Sequence, residues 1–296
     1  MTVLFGCVPA KSTTNRDESE TAPPPKPVQV ESVKTRATYG KRTGTDKTFT
    51  GLEPLPKITL AVPDPDNSRG LSETSCSHSF GVAKDGKPNA ISVDNQKIYE
   101  DYGGYCLGPT EDNAVYLTFD CGYENGFTGP ILDTLKEKRV PAAFFVTMDY
   151  LKSAPELTAR MINEGHVVGN HSTTHPDFSA IPRTEMVKEI ETVDNELREH
   201  FGYSSAYFRF PAGNYSESAL ELVQSIGYTS VFWSSAYADW DPNAQKGADY
   251  ALKTVTARLH PGCVLLLHAV SKDNAEALGA IIDEARAQGY VFRPLP

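Results

Sequence analysis

The chain lacks several things that would each have fixed a class of function. No run of about 18 apolar residues occurs, so no segment reads as a membrane-spanning helix. Its five cysteines, Cys7, Cys76, Cys106, Cys121 and Cys263, are too few and too scattered for a disulfide scaffold. Cys76 and Cys106 pair only if the compartment is oxidising and their backbones lie close. Basic residues are in the minority. Lys and Arg number 28 against 38 Asp and Glu, a net charge of −10 that argues against nucleic acid as a partner. No G-x-G-x-x-G loop is found, which disfavours a dinucleotide-binding sheet.

What is present is the composition of a soluble globular protein, 40% hydrophobic and 22% charged in 296 residues. The first 75 residues differ from the rest. They hold nine of the 21 prolines but only three of the 29 Phe, Trp and Tyr residues, and Thr21–Pro27 is a stiff extended stretch. Such a segment buries too little apolar surface to offset its ordering entropy, so residues 1–75 read as a disordered linker. A small separate domain near residues 47–62 is the alternative. At the extreme start, Leu4-Phe5-Gly6-Cys7 resembles the end of a bacterial lipoprotein signal without its basic start or full apolar segment. Either the start is truncated and Cys7 carries a lipid at the cell surface, or the match is chance. Residues 76–296 hold 18 basic and 29 acidic residues, a balance that suits a neutral ligand.

After an irregular lead-in over 77–108, strands and helices alternate. Strands are expected at 115–121, 142–146, 167–171, 207–209, 231–234, 264–268 and 290–292. Helices are expected at 130–139, 153–164, 184–201, 218–226, 249–259 and 274–288, with Ser218 and Glu221 as a capping box. Four times a helix ends at glycine with an aromatic or His next: Gly165-His166, Gly202-Tyr203, Gly227-Tyr228 and Gly289-Tyr290. This is the beat of an α/β fold with a mostly parallel sheet of seven to eight strands, a (β/α) barrel that need not be complete, with an open doubly wound sheet as the alternative.

The strand ends carry the chemistry. Val115, Leu117 and Phe119 alternate with Tyr116 and Thr118, and the run stops at Asp120-Cys121-Gly122. Alone, that is an ordinary Asp-x-Gly turn. The strand at 167–171 ends in His171-Ser-Thr-Thr-His175, a spacing that can hold a metal but is weak by itself. Arg209, in Arg209-Phe-Pro-Ala212-Gly213, is either a surface arginine or the group that keeps Asp120 ionised, and Pro211 and Gly213 shape a tight loop there. Asp239-Trp240 follows the next strand, and His268 closes Val264-Leu-Leu-Leu. His78, His166, His200 and His260 do not share these positions and read as structural or surface residues. Together the tips offer a base, an acid, imidazoles and a guanidinium, the parts needed for metal-assisted hydrolysis.

Five ordered motifs, Thr118-Phe-Asp-Cys-Gly122, His171-Ser-Thr-Thr-His175, Arg209-Phe-Pro-Ala212, Asp239-Trp240 and Leu266-Leu-His268, resemble those of polysaccharide deacetylases, carbohydrate esterase family 4, the NodB-homology domain. The resemblance spans roughly 76–296 and implies a distorted (β/α) barrel with its site at the strand C-terminal ends. Phe119–Gly126 and Asp273–Ala277 are most similar to the branch acting on muramic acid in peptidoglycan. It implies a monomeric extracellular or cell-surface hydrolase removing N-acetyl groups from peptidoglycan amino sugars, with chitooligosaccharides as a second substrate class and a non-catalytic glycan-binding domain as the rival. The implied roles are Asp120 as general base, His268 as general acid held by Asp239, and Arg209 orienting Asp120. His171 and His175 would bind one divalent ion, zinc being favoured. The Ala212 N–H, next to Gly213, would line an oxyanion hole, and Trp240 and Leu266 would wall the acetyl pocket. The chain departs from the family at two places. Cys121 stands where a metal-binding Asp is usual, and is either a thiolate ligand or a small residue facing the core. Ala212 stands where a Tyr is usual.

Overall fold

A computed structural model describes residues 36–42 and 47–296. In chain order they form β1 (Ala37–Tyr39), β2 (Cys76–Ser77), α1 (Ala90–Glu100), β3 (Ala114–Cys121), α2 (Thr128–Lys138), β4 (Ala143–Val146), α3 (Met148–Ser153), α4 (Pro155–Asn163) and β5 (Val167–Asn170). Then follow α5 (Arg183–Phe201), β6 (Tyr203–Ser205), β7 (Tyr207–Phe208), β8 (Asn214–Tyr215), α6 (Glu217–Ser225), β9 (Thr229–Ser230), α7 (Ala248–Thr256), β10 (Cys263–His268), α8 (Lys272–Ala287) and β11 (Val291–Phe292).

Seven strands make one sheet in the order β10-β3-β4-β5-β7-β9, with β11 against the first residues of β3, and every pairing is parallel. The sheet curls into a half-barrel. A single bridge between Ser235 and Leu265, with Leu266 N–H donating to Ser235 O at 2.9 Å, links its far side back to β10. Successive side chains of β3 point to opposite faces. Val115, Leu117, Phe119 and Cys121 join Ile131, Leu132, Met161 and Leu278 in a layer between sheet and helices, whereas Ala114 and Tyr116 join Phe145, Tyr207 and Leu266 inside the curl. The same alternation turns Asp120 inward and Cys121 outward. The four helix-ending glycines all have positive φ, from 60° to 90°. After three of them the next N–H reaches back to Met161, Val223 or Ala285 O at 3.0 Å, closing the helix end.

Three expectations change. The helix expected at 153–164 begins at Pro155, and a short helix that was not expected, α3, precedes it and ends at Ser153. The cap of α6 is Ser216, whose side chain accepts from Ala219 N–H; Ser218 and Glu221 instead bind Arg183 at 2.9 and 2.7 Å. The lead-in contains α1, capped by Asn89.

The linker expected over 1–75 does not describe residues 36–42 and 47–75, which pack on the domain, nor is there a separate domain near 47–62. β1 pairs antiparallel with β6, and Leu52 is 5% exposed within the main core. The segment then runs along α5, where Asn195 and Glu191 bind the backbone of Ile58 and Leu60, and Arg183 binds Pro63 O. Composition misled because these contacts use backbone groups, which proline and polar residues supply as well as any others. The lipid-anchor expectation at Cys7 lies outside the described residues. Cys76 is exposed, Cys106 is buried, and both are free thiols rather than a pair.

Candidate active site

Parallel register assembles the site. His268 is the partner of Asp120 across β10 and β3. Asn170 is the partner of Phe208 across β5 and β7, so His171 and Arg209 leave the sheet side by side, and Arg209 N–H donates to Asn170 O at 3.0 Å. Four strand ends thus deliver Asp120, His171, Arg209 and His268 to one place.

Asp120 is 7% exposed and accepts from Arg209 Nη1 at 2.7 Å. Arg209 is fully buried, donates through Nε to Val231 O at 2.9 Å, and lies 4.1 Å over the Phe145 ring. That ring occupies the space above Gly169, where a Cβ would sit 2.6 Å from it. Burial pushes the Asp120 carboxyl up, but Arg209, His171 and His268 outweigh it and hold it below the ordinary value. Asp120 is therefore a carboxylate at neutral pH.

His268 Nδ1–H donates to Asp239 Oδ1 at 2.7 Å, and its backbone N–H to Asp239 Oδ2 at 2.8 Å. Asp239 is also held by Asn274 Nδ2 at 2.6 Å, and Asn274 by Tyr237 OH at 2.5 Å. Burial pushes the imidazolium down, but Asp239, in direct contact, wins and raises His268 above 6.5. With Nδ1 engaged, Nε2 is the nitrogen that can hand over a proton. Asn274 was not singled out as a site residue, although it lies in the Asp273–Ala277 stretch.

His171 Nδ1–H donates to Arg209 O at 2.9 Å. Burial lowers its pKa to about 4, so the ring is neutral and Nε2 keeps a lone pair. That lone pair faces Asp120 Oδ2 at 3.5 Å, two acceptors that need an electropositive partner between or beside them. The His175 ring stands 4.9 Å from that of His171, nearly perpendicular. The loop carrying both is strained, with φ of 68° at Ser172 and 59° at His175. Glu189 of α5 holds it, accepting from Thr173 and Thr174 N–H at 2.8 Å each. This donor set fits a divalent ion bound by two imidazoles. Among the described residues no group of three or more His, Cys, Asp and Glu is arranged to hold one. Cys121 does not join the site. It is fully buried on the helix-facing side of β3, where burial pushes its thiol well up, so the ligand alternative falls and the packing alternative stands.

These groups open into a cavity of about 600 Å³ lined also by Ala212, Trp240, Leu266 and Tyr123. Ala212 sits in a tight turn at φ 52°, unusual for a residue with a Cβ, and is exposed to the cavity. Gly213 does not line it. A Cβ there would meet Trp233 at 2.9 Å and His78 at 3.0 Å, so its place in the site is packing behind the turn rather than contact. Trp240 is 59% exposed at the rim, its ring 6.0 Å from that of His268. Tyr123, whose place at the site carries no signal of its own in the sequence, is presented by a hydrogen-bonded loop. Glu124 accepts from Gly126 N–H and Thr128, and Asn125 donates to Val270 O at 2.9 Å. The remaining histidines keep the structural or surface places expected of them; His78, for example, is buried between Tyr99 OH and Trp233 O.

Comparison with known proteins gives a consistent picture. Residues 107–231 match the family described as polysaccharide deacetylase. The chain is 43% identical to the peptidoglycan-N-acetylmuramic acid deacetylase PdaA of Bacillus subtilis over 199 residues, 67% of this chain and 76% of that protein. It is 34% identical to a chitooligosaccharide deacetylase of Sinorhizobium fredii, over 62% of this chain and 90% of that protein. The crystal structure of Bacillus subtilis PdaA, a family 4 carbohydrate esterase, superposes with a TM-score of 0.73 at 39% identity, covering 76% of this chain and 96% of that one.

Proposed function

This chain belongs to the polysaccharide deacetylase family, and from that premise we propose that it hydrolyses N-acetyl groups of peptidoglycan amino sugars, N-acetylmuramic acid first among them. The observation that carries the reaction class is the pairing, on adjacent strand ends, of a carboxylate held ionised by Arg209 with an imidazole whose cation Asp239 favours. A base and an acid with pKa values driven apart, facing one cavity, are what amide hydrolysis requires. The likeness to PdaA supports the muramic sugar.

Asp120 takes the proton of the attacking water. Arg209 keeps Asp120 charged and fixed, so the base is available throughout the neutral range. The N–H of Ala212, offered by the strained turn, faces the oxygen that gains charge as the carbonyl becomes tetrahedral. His268 gives its Nε2 proton to the departing amine, with Asp239 stabilising the cation until then. Trp240 and Leu266 border the acetyl methyl. A divalent ion, zinc by preference, would be held by His171 and His175 and would supply Lewis-acid polarisation and a more acidic water. The substrate implies a location at the cell wall.

The test is acetate release by the purified chain from peptidoglycan glycan strands and from chitooligosaccharides, with and without chelator. Release from muramic residues, abolished by chelation and restored by zinc, is the expected result. Release from chitooligosaccharides alone would reassign the substrate, and no release with any metal would make the domain a glycan-binding module.

A further inference from the structure

The cavity contains one charged group that the chemistry above leaves unused. Arg258 lies two residues beyond the end of α7 and lines the same cavity as Asp120 and His268. Its Nη1 donates to Ala236 O at 2.7 Å, the one hydrogen bond its side chain makes among the described residues; its backbone N–H donates to Val255 O at 3.0 Å. Apart from the site groups, much of the cavity's lining is apolar, including Ala236, Ala238, Leu266, Val270 and Trp233. A guanidinium is always charged and carries five N–H donors in a planar fork. Arg258 is half-buried, and one bond to a carbonyl leaves most of that fork free to pair with an anion in the cavity.

A chitin-like oligomer has no anion to offer. Muramic acid differs from N-acetylglucosamine by a lactyl ether at O3 that ends in a carboxyl group. O3 is on the carbon next to the one bearing the reacting acetamide. The carboxylate therefore lies close to the amide that Asp120 and His268 would attack, within the breadth of one cavity. The chain's net charge of −10 repels anionic sugars at long range, so recognising one needs a local cation at the site. We infer that Arg258 receives the lactyl carboxylate of muramic acid and is a specificity-determining residue for that sugar. The inference rests on the deacetylase reading above.

The test crosses the protein change with the matching substrate change. The substrates are a muramic-acid glycan with its lactyl carboxyl free, the same glycan with that carboxyl amidated, and a chitooligosaccharide. The wild-type chain should favour the free acid over the amide. Arg258→Met should lower kcat/KM on the free acid by about 10- to 100-fold, the scale of a charge-assisted hydrogen bond, and leave the amide and the chitooligosaccharide unchanged. Arg258→Lys, which keeps the charge without the fork, should fall between. Equal loss on all three substrates would mean that Arg258 only braces Ala236, and no loss on any would send the carboxylate elsewhere. Either result overturns the assignment. Indifference of the wild-type chain to amidation overturns it without any variant, so a misfolded Arg258→Met cannot protect it. A wild-type chain active on chitooligosaccharides but on neither muramic glycan would overturn the underlying reading as well, and is recognised before any variant is made.

Discussion

His268 is subject to two opposing influences, and their balance makes a pH prediction. Burial disfavours its cation, contact with Asp239 favours it, and the result lies above 6.5. As the proposed acid it must be protonated, so kcat/KM should decline only as pH rises through that raised value. Asp239→Asn removes the charge but keeps the shape. The alkaline limb of the profile should then move toward acid, and the rate at neutral pH should fall by roughly 10²–10⁴. A limb that stays in place would assign the titration to another group. On the acid side Asp120 is held down, so Asp120→Asn should abolish turnover while metal content stays largely intact. Cys121 makes the contrary case. Its thiol lies in the layer between sheet and helices, so Cys121→Ser should leave zinc affinity unchanged and lower stability by about 1–3 kcal/mol, the cost of an unpaired buried hydroxyl. Zinc affinity reduced tenfold in that variant would return the thiol to the metal.

At the scale of elements, the long helix α5 acts on the site through one side chain. Glu189, 6% exposed, accepts two backbone N–H groups and a hydroxyl from the Thr173–Thr174 turn between the two metal-binding candidates. Glu189→Ala leaves those donors without their acceptor and frees a turn already strained at Ser172 and His175. Zinc affinity, measured by competition with a chelator, should fall about 10- to 100-fold, as it does when residues behind a ligand are removed. Unchanged affinity would mean that the turn holds its shape unaided. Such a support could not be read from the sequence, because the contact joins a side chain to the backbone of residues 15 and 16 positions away. The strands that were legible, β3 and β10, are continuous apolar runs ending in a titratable residue. Of the two-residue pieces, β7 lies within the run expected at 207–209, β9 at Thr229–Ser230 precedes the run expected at 231–234, and β8 leaves no periodicity to find. Ser218 precedes Glu221 by three, the spacing of a capping box, yet Arg183, distant in sequence, claims both. The tips themselves were legible because parallel strands deliver their last residues to one side of a sheet, whatever their boundaries. The sequence allows Cys121 two roles, and strand alternation places its thiol in the layer between sheet and helices.

For the whole molecule, the sharpest departure from composition is the stretch before residue 76, and it carries the last prediction. Every proposed site residue lies after it, and none of the described residues before 76 lines the cavity. A chain beginning at 77 should therefore keep its chemistry but lose stability. Thr50 Oγ1 donates to Phe201 O at 2.6 Å, Phe49 N–H to His200 O at 2.9 Å and Gly40 N–H to Gly202 O at 2.7 Å. The segment thus satisfies carbonyls at the C-terminal end of α5, where a helix has none of its own donors left. Leu52 adds a side chain to the main core, and Leu60 and Val62 pack on the second. Opposing this, the shorter chain no longer bears the entropy of ordering the segment. The contacts win because the lost partners are buried ones, and orphaned carbonyls on α5 are not recovered by a shorter chain. Compared with a chain beginning at 33, one beginning at 77 should melt at lower temperature, by about 2–4 °C for each kcal/mol lost in a domain of this size. Its kcat on a soluble oligomer, measured well below the melting point, should be unchanged. Leu52→Ala in the longer chain isolates one contact and should cost about 2–5 kcal/mol. Equal melting temperatures for the two chains would return residues 36–75 to the role of a tether, and a lower kcat with unchanged melting would give them a part in the site.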